Sequence, residues 1–179
     1  MGFGELRIWA VAIVLAVALG ALFGGYYLYE QNTVKAPLEQ ALAEAPGVKA
    51  FTLTRDGAVT RLDVELAWVD SLADTYAALD ATAGRLLGQG YALRLIDRRD
   101  PFLERVYHQA HFALQEGIYT GRFTDMARSV DEIMAQNGVE EYRLTVTERH
   151  VFLQIKKGRA YLYEVIPRTE DRGGEAFDS

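Results

Sequence analysis

The chain has 179 residues, 50% of them apolar and 25% charged, with 16 Gly, 4 Pro and no Cys. That composition suits one globular domain plus an additional segment. Acidic residues outnumber basic ones by 25 to 19, giving a formal charge of -6, which argues against a duplex nucleic-acid binder because such a protein needs a basic face to displace counterions. Without cysteine, disulfides, thiolate metal sites and thiol nucleophiles are all excluded.

Behind a short head at 1–7, residues 8–29 contain no charge, Pro, Asn or Gln. At about 1.5 Å per residue this run covers roughly the 30 Å of hydrocarbon in a bilayer, and it is expected to be a transmembrane helix. Trp9 near one end and Tyr26, Tyr27 and Tyr29 near the other sit where aromatic belts meet headgroups. Gly20 and Gly24 have the GxxxG spacing that lets two membrane helices approach closely. A cleaved signal peptide would use Arg7 as its basic region and Ala16-Val17-Ala18 or Ala18-Leu19-Gly20 as its cleavage site, but Leu22, Phe23 and the tyrosines carry the run well beyond both. A buried core helix would be shorter and polar on one side.

The inside-positive bias does not decide orientation, since Arg7 and Glu5 on one side face Lys35 and Lys49 on the other. A head this short usually stays in the cytoplasm, so the sequence predicts a single-pass protein of the cell membrane with its bulk extracytoplasmic. With Arg7 and Glu5 set aside, the remainder carries 18 basic and 24 acidic residues and has no electrostatic reason to lie on an anionic leaflet.

Residues 30–168 read as one α+β domain with sub-halves at 36–97 and 100–167. A helix starts at Ala36-Pro37, carries Leu38, Ala41, Leu42 and Ala45 on one face, and is stopped by Pro46-Gly47. Val48 to Thr54 and Val59 to Val69 alternate around Asp56-Gly57, a hairpin signal. Ser71 caps a second helix with the stripe Leu72, Tyr76, Leu79, Ala83, Leu86 and Leu87, ended at Gly88-Gln89-Gly90, and Tyr91 to Asp97 follows as a strand.

Asp100-Pro101 opens a third helix with cap and first-turn proline together; Leu103, Val106, Tyr107, Ala110, Leu114 and Ile118 recur at helical spacing. Gly117 and Gly121 mark a break before a fourth helix, with Phe123, Met126, Ala127, Val130, Ile133 and Met134 on its apolar face, that stops at Asn137-Gly138. Three strands complete the domain: Tyr142 to Thr147, Val151 to Lys156 and Ala160 to Ile166, the last two joined at Lys157-Gly158. The charged end, 169–179, is expected to be disordered. The fold class is therefore α+β, about four helices and six strands in the order helix-strand-strand-helix-strand, then helix-helix-strand-strand-strand, with two helices for each set of three strands.

In element order alone, residues 36–97 behind an anchor resemble the small ring-building modules of bacterial secretion and sporulation assemblies, which implies assembly as a role and transfers no residue. The search for chemistry adds little. Phosphate-binding glycine loops are missing, and the serines fall at a cap (Ser71), inside a helix (Ser129) and at the chain end (Ser179). Glu104, His108 and His111 share one helical face and are the best candidate metal ligands, though HExxH spacing is lacking; the competing reading makes His111 a core residue with one hydrogen bond and leaves Glu104 with His108 as a partly solvated pair.

Arg94, Arg98, Arg99 and Arg105 form the one basic cluster, able to hold a phosphate or a partner's carboxylates, unless they pair with Asp97, Asp100 and Glu104. Carboxylate pairs among Asp97, Asp100, Asp125, Asp131 and Glu132 are expected from the abundance of acids. The final strand carries Leu162 and Ile166 on one face and Tyr161, Tyr163 and Val165 on the other, so it is either covered on both sides or presents tyrosines to a partner. The expected function is non-catalytic protein–protein interaction or assembly at the cell envelope, including self-association, with no cofactor and no nucleic acid. The alternatives are a tethered module for a small anionic or envelope ligand, and a metal-dependent hydrolase.

Overall fold

A computed structural model describes residues 36–168 apart from 44, 58 and 89. The uncharged run at 8–29, with Gly20 and Gly24, and the tail at 169–179 lie outside the described residues. Among the described residues no helix is long and apolar enough to cross a membrane. The elements are α1 (Ala36–Ala43), β1 (Val48–Asp56), β2 (Val59–Leu66), α2 (Leu72–Leu87), β3 (Tyr91–Ile96), α3 (Pro101–Thr120), α4 (Phe123–Gln136), β4 (Glu141–Val146), β5 (His150–Lys157) and β6 (Ala160–Pro167). The protein is thus α+β, with four helices and six strands in two three-stranded sheets among the described residues.

Local chemistry accounts for the element ends. Ser71 accepts from the Asp74 amide at 3.3 Å and Asp100 from the Leu103 amide at 2.8 Å, each satisfying a helix-start N–H that lacks an intrahelical partner. The two tight hairpins begin their loops one residue later than the sequence pattern indicates. Asp56 pairs with Val59 and Lys157 with Ala160, so Gly57 and Gly158 are the first loop residues, each at φ +60, a conformation that glycine adopts without steric cost. Gly121, at φ +71, ends α3. Gly117 does not break it: it is buried inside α3, where an added Cβ would lie 2.5 Å from the Met126 Cβ, so its bare backbone lets α4 pack closely.

In the first sheet, β1 and β2 pair antiparallel while α2 carries the chain across so that β3 runs parallel to β2. Leu62, Val64 and Leu66 of β2 pack against Leu38 and Leu42 of α1 and Leu72, Leu79 and Ala83 of α2. In the second sheet, β4, β5 and β6 pair antiparallel, and Val151, Leu153, Ile155, Leu162 and Ile166 pack on Leu103, Val106, Ala110 and Leu114 of α3 and Met126, Val130 and Met134 of α4. Each fully buried apolar side chain of this kind contributes about 1.5–3 kcal/mol.

The second sheet is covered on both faces, the far one by the β2–α2 connection together with α2, whose Tyr76 ring meets Phe152 at 5.7 Å between centres. Phe152, Tyr161 and Tyr163 join the first core, where the β2–α2 connection lies across them. That connection carries main-chain groups no strand can satisfy, and side chains of the second sheet supply the partners. The Tyr161 hydroxyl donates to the Leu66 carbonyl (2.6 Å), and that of Tyr163 donates to the Ala67 carbonyl (2.8 Å) while accepting from the Val69 amide (2.9 Å). The Gln154 amide donates to the Val69 carbonyl (2.9 Å) and accepts from the Leu72 amide (3.0 Å). Gln154 is 2% exposed, a burial tolerable only because both ends of its amide are paired. Trp68 stacks on Tyr163 with ring centres 5.8 Å apart. The two halves are therefore one structural unit, and the tyrosines of the final strand are buried in it.

Candidate functional site

Where the two sheets meet, their edge strands form a cleft of about 750 Å³. One wall is β3, an edge strand of the first sheet, and the other is β6, an edge strand of the second. The hydrogen-bond ladder shows which main-chain groups face it. Thr60 donates to the Gly90 carbonyl at 2.9 Å, so in the parallel pair the even-numbered residues of β3 bond to β2, and Leu93 and Leu95 turn their N–H and C=O groups outward. On the other wall, Arg168 donates to the Arg149 carbonyl at 2.8 Å. The antiparallel alternation then makes Ile166, Glu164 and Leu162 the residues bonded to β5, and turns those of Tyr161, Tyr163 and Val165 outward.

The cleft is closed at one end by a clasp. Arg98 and Tyr161 form an antiparallel bridge, with the Tyr161 amide donating to the Arg98 carbonyl at 3.0 Å. Next along β6, the Tyr163 amide donates to the Asp97 carboxylate at 2.8 Å, and its carbonyl accepts from Arg99 at 3.3 Å. The Asp97 side chain is only 4% exposed and is held by the Arg99 guanidinium at 2.7 Å; Arg99 also reaches Glu164 at 3.0 Å. This pairing keeps Arg99 protonated, its pKa raised chiefly by the hydrogen bond to Asp97. Beyond the clasp the strands diverge, and the next outward-facing positions, Leu93 and Leu95 on one side and Val165 on the other, line open space.

Tyr76 of α2, Tyr163, Leu93, Leu95 and Val165 supply apolar surface to the cleft, while Arg94, Asp97, Arg99 and Glu164 supply charge. Tyr76 meets His150 edge-on at 5.4 Å between ring centres, and both also border a smaller cavity of about 290 Å³ lined by Asp80, Glu148 and Arg149. Burial lowers the His150 pKa, with the Arg149 charge acting in the same direction. Burial likewise raises the Tyr76 pKa. Near neutral pH the inner part of the cleft therefore presents a neutral imidazole and a neutral phenol beside aliphatic side chains.

The structure divides the predicted arginine cluster. Arg94 and Arg99 line the cleft, Arg98 contributes its main chain to the clasp, and Arg105 lies on α3 with its guanidinium 6.0 Å over the Phe102 ring. Asp97 is the partner that the sequence indicates for Arg99; Asp100 caps α3 instead, and the second partner, Glu164, is far along the chain. Glu104 and His108 are exposed on α3, whereas His111 is half-buried with its Nδ1 3.3 Å from the Tyr107 hydroxyl. Among the described residues no group of three His, Asp or Glu side chains is arranged to hold a metal ion.

Sequence reasoning did not identify the cleft walls, because Tyr91 to Asp97 reads only as a strand and Val165 only as part of a face that is either covered or presented to a partner. The apolar character of both faces of β6 was the available signal. No family model, curated protein or solved structure matches the chain.

Proposed function

We propose that the chain is a non-catalytic interaction module, tethered through 8–29 with its domain on the extracytoplasmic side, that binds an extended segment of a partner protein in the cleft between β3 and β6. The observation that carries this reading is the pair of unbonded strand edges facing one another beyond the Asp97 clasp. Each offers N–H and C=O groups at strand spacing, and an added strand satisfies them while its alternate side chains meet Leu93, Leu95 and Val165. The 750 Å³ of space lies within the range of ordinary ligand clefts.

The same geometry defines the test. The Val165 amide faces away from β5, so Val165→Pro removes an edge donor without removing a ladder bond, and Val165→Ala trims the side chain while keeping that donor. Full-length protein in detergent is used to select peptides of alternating apolar residues from a displayed library, and the selected peptides are titrated against both variants. Val165→Pro is expected to weaken binding at least about tenfold, and Val165→Ala much less. Equal affinity for wild type and Val165→Pro, with the far-ultraviolet spectrum unchanged, contradicts the reading.

A small anionic ligand is the second reading, supported by the arginines at the cleft. It is weaker because Asp97 and Glu164 already neutralise Arg99, leaving Arg94 as the arginine of the cleft without an ion pair among the described residues.

A further inference from the structure

The outward face of α3 combines exposed aromatic residues with a self-complementary charge pattern. Phe112 is 78% exposed and Tyr119 is 93% exposed, although large aromatic side chains are normally drawn inward. They stand seven residues apart, hence on one stripe, and Arg105 continues the stripe seven residues earlier. The opposite side of the helix, Leu103, Val106, Ala110 and Leu114, is committed to the second core, and Gly117 to α4. The aromatic stripe is therefore left over after the domain has folded.

We propose that this stripe is where a second copy of the chain docks, α3 against α3 in antiparallel order about a two-fold axis at Phe112. Helical geometry makes the choice of partner specific. With Phe112 opposite its own copy, Arg105 of one helix lies level with Tyr119 of the other, and Glu116 of that second helix lies one turn away on the same flank. Each end of the contact thus places a guanidinium against an aromatic ring and a carboxylate, and the two-fold axis repeats the arrangement. On the other flank His108 lies level with Gln115. A parallel alignment would set Arg105 against Arg105 and Glu116 against Glu116, so the charges select the antiparallel one.

The absence of native cysteine makes the test clean. Single cysteines are introduced into the full-length chain at Phe112, Tyr119 or Arg128, the last on the exposed side of α4, and the protein is oxidised gently in detergent at low concentration. Phe112→Cys is expected to give a disulfide-linked dimer. Tyr119→Cys alone is expected not to, because antiparallel order separates the two copies of residue 119 by roughly 21 Å along the axis. A mixture of Arg105→Cys and Tyr119→Cys chains should cross-link to each other.

Charge reversal at Arg105 (Arg105→Glu) should weaken association at least about tenfold, and the double variant with Glu116→Arg should restore it. Tyr119→Cys cross-linking as well as Phe112→Cys, or Phe112→Cys cross-linking no better than Arg128→Cys, would overturn the proposal. Val165→Pro should leave the cross-link unchanged, which separates this surface from the cleft.

Discussion

Tyr163 links the chemistry of the interior to the position of the cleft. Its hydroxyl bridges Ala67 and Val69, its ring supports Trp68, and its main chain receives the Asp97–Arg99 clasp. Tyr163→Phe leaves the Val69 N–H and the Ala67 C=O unpaired in the interior and should cost about 1–3 kcal/mol in urea denaturation. Burial raises the Tyr163 pKa, and Tyr91, Tyr107 and Tyr142 are pushed up to about 12. A group whose folded pKa exceeds its unfolded value supplies stability that is complete below the unfolded value and lost as pH rises through the folded one. The urea midpoint should therefore fall progressively above about pH 10, and less steeply in Tyr163→Phe; a midpoint flat to pH 11.5 would contradict the assignment.

At the scale of elements, the α3–α4 hairpin depends on the backbone of Gly117. Gly117→Ala adds a methyl group 2.5 Å from the Met126 Cβ, so the expected outcome is a loss of about 1–3 kcal/mol despite the better helix propensity of alanine; thermal unfolding checks it, and a gain in stability would show that the helices can separate. Most elements were legible in the sequence because their determinants are local: Ser71 and Asp100 cap, apolar stripes repeat at helical spacing, and strands alternate. The role of Gly117 was not legible, since its reason lies on another helix. Neither was the pairing of the strands, where β3 runs parallel to β2 but each strand of the second sheet runs antiparallel to its neighbour. Such choices depend on crossover connections and long-range contacts that the local pattern does not encode.

At the scale of the whole molecule, two sheets that could have been independent are joined by Gln154, Tyr161 and Tyr163, and the join leaves two strand edges facing a shared cleft. Half of the candidate site was visible beforehand as Arg94 and Arg99 in a basic cluster, while Val165 and Glu164 come from a strand about seventy residues away. Amide hydrogen exchange with a selected peptide bound is the most direct test of strand addition. The account predicts new protection at the outward-facing amides of Leu93, Leu95 and Val165, with Arg94 and Glu164, already bonded inside their sheets, unchanged. Protection that leaves these three amides untouched while the peptide binds would contradict it.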